Sequence, residues 1–443
     1  MGLLRSLFTS LISLGALCAA SSSAGSRVLV VLEPALSKTD YSTFFDGLEE
    51  RGYQLTFRTP KQDKPLLVEY DVPNYDHVIL FAPTTKTLSS DISPQSLLQL
   101  LSQKVNLMVA LSPKTTPMHS FASEFGLILP PPETPLFSHF PARKGPRTTL
   151  EVPLNPDSSV VKSTSSPILF SGINFGISTN PMLFSIVNAP AESFATDTTK
   201  EEEAEILIES ANRGGEGLWA GSAMSVVAGF QTKSGARVVW AGGVDMFSND
   251  FASSTLAGGK KSGNAAVAQD IAKWAFQESM VLRIDEVKHH RLGESDPREM
   301  YTINDKVVYS VQISAFDPTT SSWTPYSDIK DLQVEFTMLD PHIRTSLSPV
   351  AGQPGRYETV IRIPDRHGVF KFVVDYRRRG WSTLYSATTV PVVPPRHNEY
   401  PRFLSAAWPY YVGAISTSIG FILFSALWLG GAASERGSKK KKE

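Results

Sequence analysis

The chain has 443 residues, 42% of them hydrophobic and 19% charged, with a formal net charge of −1. That much apolar material supports ordinary buried cores in two or three domains and excludes a disordered chain. The absence of any basic excess gives no footprint for nucleic acid.

Residues 1–24 carry a lone Arg5, an apolar stretch over 7–19 and then small residues, the layout of a cleaved secretory signal. The stretch is too short to cross a bilayer. Cleavage after Ala19, Ala20 or Ala24 fits equally well, with a mature start near Gly25. The only cysteine, Cys18, lies inside this segment. The mature chain would then enter an oxidising compartment without a thiol, which excludes a thiol oxidoreductase or a cysteine hydrolase. No N-x-Ser/Thr acceptor occurs, so no N-glycan is expected on the chain itself.

From Arg27 onward, strand and helix patterns alternate. An apolar strand over 27–32 precedes a helix over 42–51 closed by Gly52, and strands follow over 53–57 and 77–81. Ser93 and Pro94 open a further helix, and 106–111 reads as a strand. Short apolar strands separated by helices predict a parallel sheet covered on both faces. The stretch over 130–225 is less regular, with strands expected near Val160 and Ile168 and an acidic polar run over 196–205 read as a solvated loop. Regularity returns with a strand over 237–241, the turn GGVDMFSND and a helix from Asn264 whose Val267, Ile271 and Trp274 share one face. Residues 25–280 are therefore expected to form one α/β domain.

Beyond Val281 the period becomes two. Val307, Tyr309, Val311 and Ile313 alternate with polar neighbours, as do Leu332, Val334, Phe336 and Met338, and then Phe370, Phe372, Val374 and Tyr376. This predicts an antiparallel, immunoglobulin-like β-sandwich over 281–395. A proline-rich connector over 396–410 leads to an uncharged stretch over 411–431, long enough to span a membrane once, with Trp408, Tyr410, Tyr411 and Trp428 near its ends. Within it Gly413, Ala414 and Gly420 are small enough to allow close contact with another helix. The tail over 432–443 holds Arg436 and Lys439 to Lys442, against Arg396 and Arg402 before the span, which predicts a single-pass type I protein with a cytosolic tail. Lys440 and Lys441 stand fourth and third from the end, the placement of a dilysine retrieval signal for the endoplasmic reticulum, read by a coat receptor.

Chemistry is hard to place. Gly242, Gly243 and Asp245 follow a strand end, where an α/β sheet would put a site, yet no histidine lies near them in sequence and neither G-x-S-x-G nor G-x-G-x-x-G occurs. A tight glycine turn, with Asp245 capping backbone N–H groups, explains them as a structural turn rather than with Asp245 as base and Ser248 as nucleophile. Adjacent His289 and His290 point to opposite faces of a strand and cannot share a metal. Asp365, His367 and Gly368 read as a hairpin, and Gly215, Gly217 and Gly221 only loosely suggest a phosphate loop. The expectation is no catalytic residue, no cofactor and no metal.

Several long segments in one order do carry a likeness. VVWAGGVDMFSNDF, IAKWAFQESMVLRIDEVKHHRLGE, VEFTMLDPHIRTSL, HGVFKFVVDYRRRGWSTLYS and HNEYPRFLSAAWPYYVGAISTSIGFILFS resemble the non-catalytic, wheat-germ-agglutinin-binding-protein type of subunit of the dolichyl-diphosphooligosaccharide–protein glycosyltransferase, or oligosaccharyltransferase, in its fungal form. The resemblance implies an accessory role in moving a preassembled glycan from dolichol to Asn of N-x-Ser/Thr sequons. It also implies a glutamine-amidotransferase-like N-terminal fold without a catalytic cysteine. Partners would be the other subunits of the complex, including a multi-spanning catalytic one whose W-W-D-Y-G motif this chain lacks. A type I cargo or lectin receptor of the early secretory pathway, or a lumenal hydrolase, stays open as an alternative at this point.

Overall fold

The computed structural model describes residues 22–140, 145–156, 158–195, 219–400 and 405–439. The signal segment, except residues 22–24, the acidic run from residue 196 onward, Gly215, Gly217, Lys440 and Lys441 lie outside the described residues.

The first part of the chain is organised around a seven-stranded sheet. In chain order its strands are β1 (Arg27–Leu32), β2 (Gln54–Arg58), β3 (His77–Phe81), β4 (Asn106–Ala110), β5 (Leu183–Asn188), β6 (Ser225–Gln231) and β7 (Arg237–Ala241). The spatial order is β5-β6-β7-β4-β3-β1-β2. Alternate residues of one strand enter different cores: Val28 and Val30 pack with Phe44, Phe45, Ile271 and Trp274, while Leu29 and Val31 pack with Leu97, Leu101 and Phe121. Both faces are therefore covered, which is why the strands read as unbroken apolar runs. Helices α1 (Ser42–Glu49) and α4 (Asn264–Ala275) supply one layer, and α2 (Pro94–Ser102) and α3 (Pro117–Glu124) the other. Ser93 caps α2, accepting from Ser96 N at 3.1 Å.

The expected parallel sheet needs correction. β2, β1, β3, β4 and β7 are parallel, but β6 and β5 run antiparallel at one edge. Only residues 232–236 separate β6 from β7, too short for a crossover and suited to a hairpin closed by Thr232 N donating to Ala236 O at 2.8 Å. The strand expected near Val160 is also absent. Val160 and Val161 are buried, but the following Lys162 and Ser163 N–H groups donate to the Asp270 carboxylate at 2.8 and 2.7 Å instead of to a strand.

His77 illustrates how closely this core is matched to one protonation state. It is fully buried, stacks on Phe276 at 4.4 Å, accepts from Asn106 Nδ2 at Nδ1 (3.0 Å) and donates from Nε2 to Gly25 O (3.1 Å). Burial pushes its pKa down to about 4 from 6.5. Above the unfolded value near 6.5 both states are neutral and this contribution is fully present. As pH falls from about 6.5 to 4 the unfolded chain binds a proton that the fold refuses, so stability drops by about 3 kcal/mol. Denaturant unfolding at pH 7 and 4.5 should show a smaller acid loss for His77→Gln than for wild type.

The second part is sheet-rich. Strands β8 (Leu282–Arg291), β9 (Lys306–Asp317) and β11 (Arg356–Arg362) lie in one five-stranded sheet, and β10 (Gln333–Thr337), β12 (Gly368–Tyr376) and β13 (Leu384–Val393) in another. One apolar cluster joins them, with Tyr309 stacked on Phe372 at 4.8 Å and Phe336 on Phe370 at 4.7 Å. β12 and β13 are antiparallel, so the 377–383 loop and the exit at Val393 sit at opposite ends. The loop end abuts the first unit. There Trp274 Nε1 donates to Gly380 O at 2.8 Å, and Arg237 donates to the carbonyls of Trp274, Ser279 and Met280 at 2.8, 2.7 and 2.8 Å.

After Val393 the chain reaches α5 (Trp408–Lys439), a 32-residue helix. Residues Ser405–Gly431 include an apolar window of mean hydropathy 1.9, none of it buried against the rest of the chain. Among the described residues it is the one helix long and apolar enough to cross a membrane.

Candidate functional site

The C-terminal ends of β1, β3, β4 and β7 form the edge where an α/β sheet presents ligands. Beyond β7 the chain passes through Gly242 and Gly243 in near contact with residues 171–173. Gly242 O accepts from Ile173 N at 2.8 Å, and Gly242 N donates to Val226 O at 2.9 Å. A Cβ on Gly242 would lie 2.0 Å from Ile173 O, and one on Gly243 1.8 Å from Ser171 O. Gly172 meets them from the other side, its Cβ position 2.1 Å from Gly242 O. The glycines are thus needed for backbone approach, and the gap is filled by main chain.

Asp245 opens a 3₁₀ turn (Asp245–Phe247) and is half-buried. Burial raises its pKa, opposed by a hydrogen bond from the Ser171 hydroxyl. Burial, with the Asp245 charge second, also raises the nearby Tyr41 phenol far above its ordinary range. Ser248 is occupied as the N-cap of the short helix Asn249–Ser253, accepting from Phe251 N at 3.3 Å. Asn264 anchors the turn from α4, donating to Met246 O at 2.9 Å and Leu169 O at 2.8 Å.

One histidine does reach this edge and escaped notice in the sequence. His119, in α3, sits below Ser112 just past β4, but Nε2 is bonded to Ser112 O at 2.9 Å and Nδ1 to Thr116 N at 3.2 Å. The T-P-M-H spacing of its capping box was the available signal. Glu33, past β1, accepts from Thr84 N at 3.1 Å and from the Thr84 hydroxyl. Glu33, His119, Ser248 and Asn264 are therefore committed to neighbouring groups, while Asn174 Oδ1 and Ser225 Oγ are buried without a partner among the described residues. The cavity beside Met246, Ser248 and Asn264 measures about 10 Å³, no more than one water's worth. Among the described residues no acid–base pair faces a substrate-sized space there.

His289 bonds the Tyr301 hydroxyl at 2.7 Å and stacks near Phe372. Among the described residues no cluster of three or more His, Cys, Asp or Glu could hold a metal. In α5, Gly413, Ala414, Thr417 and Ser418 line one shallow groove with Phe421. Their hydroxyls are satisfied within the helix, Thr417 Oγ1 to Gly413 O at 2.8 Å and Ser418 Oγ to Ala414 O at 2.9 Å. A Cβ added at Gly413 or Gly420 meets nothing, so the helix backbone is open along this side.

With the sheet edge and a membrane-length helix described, comparison with known proteins decides the family. The model for the OST48 N-terminal domain matches residues 19–278 and that for the OST48 middle domain residues 289–432. The chain belongs to the OST48 family. Similar relatives are the dolichyl-diphosphooligosaccharide–protein glycosyltransferase 48 kDa subunits of Danio rerio, 31% identical over 91% of each chain, and Caenorhabditis elegans, 32% over 91% of each. That of Drosophila melanogaster is 32% identical over 93% of each. Among solved structures the chain is similar to one titled mmIFT52 N-terminal domain, at 10% identity, TM-score 0.40 and coverage of 57% of this chain and 97% of that one. A putative ThuA-like protein from Parabacteroides merdae gives 11% identity and TM-score 0.32, covering 56% and 89%. Scores this low assign no fold to the OST48 chain.

Proposed function

We propose that this chain is a non-catalytic subunit of the dolichyl-diphosphooligosaccharide–protein glycosyltransferase complex of the endoplasmic reticulum membrane, supporting glycan transfer to Asn of N-x-Ser/Thr sequons. The observation that carries the reading is end-to-end similarity to three subunits of that name, over more than nine-tenths of their length. The filled sheet edge fits a scaffold role. On this reading residues 25–280 are a lumenal, amidotransferase-like domain and 281–395 an immunoglobulin-like sandwich, with a cleaved signal over 1–24 and a connector over 396–410. On the same reading the N-terminal part lies in the lumen, the chain crosses the membrane over 411–431, and Lys440 and Lys441 in a cytosolic tail over 432–443 engage a coat receptor. The other subunits, including a multi-spanning catalytic one, are its partners.

The direct test is stoichiometric co-purification with a multi-spanning glycosyltransferase. The open side of α5 sharpens it. Leu at both Ala414 and Gly420 places bulk where small residues permit close helix contact. The double variant should insert normally and lose about tenfold in recovered complex. Unchanged recovery would assign assembly to the lumenal part instead.

A further inference from the structure

A cleft of about 710 Å³ lies where the two lumenal parts meet, within the size range of ligand sites. Phe184 and Gln231 form one wall, and the loop after β12, with Arg377, Arg378, Arg379 and Trp381, forms the other. The described lining holds these three arginines and no Asp or Glu. Arg377 is forked onto Asp375 at 2.8 and 2.5 Å, and Arg378 onto Asp331 at 2.6 Å with its guanidinium 5.3 Å from the Tyr376 ring centre. Arg379 is exposed and has no carboxylate among the described residues.

A second cation stands behind the floor. Arg237 is fully buried, donates to three carbonyls and lies 3.5 Å from Gly380 O, with no carboxylate among its described partners. Its charge acts through low-dielectric protein, where fields reach further than in water. The loop is also held still. Trp274 bonds Gly380 O, and the Gln231 amide, oriented to satisfy both neighbours, donates to Trp381 O at 3.1 Å and accepts from Thr383 N at 3.0 Å. A loop backbone already fixed loses less freedom on binding than a mobile one.

We propose that this cleft receives an acidic peptide segment of a partner subunit, with Arg379 forking one of its carboxylates and the Trp381 and Phe184 rings packing its apolar side chains. The mixed apolar and cationic walls suit a peptide. A phosphate ligand would favour a helix N-terminus or a nest of backbone N–H groups, and the lining contains no helix N-terminus. The proposal rests on the subunit reading above.

The test uses the assembled complex. A photo-crosslinking amino acid replaces Thr383, which lines the cleft, and crosslinked peptides are mapped by mass spectrometry with and without Arg379→Glu. The expected product joins Thr383's position to an Asp- or Glu-containing segment of another subunit, and falls at least fivefold with Arg379→Glu while the melting temperature is unchanged. No crosslink, one to a segment without acids, one to this chain's own acidic run, or one indifferent to charge reversal overturns the proposal. Co-purification is read separately: if wild type fails to co-purify, the subunit reading falls, whereas co-purification without the crosslink removes only the cleft.

Discussion

Gly243→Ala should be among the most damaging single-methyl changes in this chain, costing about 3 kcal/mol or more. The new Cβ would lie 1.8 Å from Ser171 O, and that neighbour is backbone in a segment held by bonds from Leu136 N to Gly172 O at 2.7 Å and from Ile173 N to Gly242 O at 2.8 Å. A flexible side chain could step aside, but here two main-chain segments must separate. Separation would break the bond from Ile173 N to Gly242 O and open the Val226 to Gly242 contact, so the damage spreads along β6 and β7. Gly258→Ala, whose added Cβ meets nothing within 4 Å, is the matched control and should stay within about 0.5 kcal/mol. Denaturant midpoints of the two variants side by side check this. Equal midpoints would mean that the 171–173 segment is not held against β7.

Arg237→Ala should cost on the order of 4 kcal/mol and loosen the junction between the α/β part and the sheet-rich part. Burial pushes the pKa of this guanidinium down to about 9, still above neutral pH, so the cation persists in the core. Its burial is tolerated because three carbonyls, of Trp274, Ser279 and Met280, accept from it and the Trp274 ring lies 4.9 Å away. Alanine leaves those carbonyls buried without a donor, at roughly 1–3 kcal/mol each before relaxation, and adds a cavity. Arg237→Met should cost less, since the stem's packing survives and no charge is buried. Limited proteolysis at residues 377–383 should accelerate in the alanine variant. A variant within about 0.5 kcal/mol of wild type would show that the carbonyls find other donors.

What the sequence revealed and what it hid divide along physical lines. β1, β3, β4 and β7 were legible because strands buried on both faces must be apolar throughout, and β9 and β12 because one-sided burial imposes alternation. α2 was announced by Ser93 and Pro94. β5 and β6 went unnoticed because they belong to a long irregular stretch of sequence; β5 is the edge strand, and register shifts on either side of Val187 blur its period. The reason for Gly242 and Gly243 was also hidden: the segment they touch lies some seventy residues earlier in the chain. Asp245 was identified as a turn residue, but its partner Ser171 comes from that same distant segment. The cleft could not be read at all, since its walls gather around Phe184, Gln231 and the 376–383 loop, three stretches that only the folded junction brings together.

In the proposed scaffold role this chain supports transfer without performing chemistry, and Asp245 is the residue best placed to contradict it. The deciding measurement is the glycan transfer rate per assembled complex for Asp245→Asn. The amide can still accept from Ser171, so folding and assembly should hold, and the rate should stay within about twofold of wild type. A drop of about a hundredfold at normal assembly, the lower range for losing a general base, would contradict the claim and make Asp245 a catalytic residue.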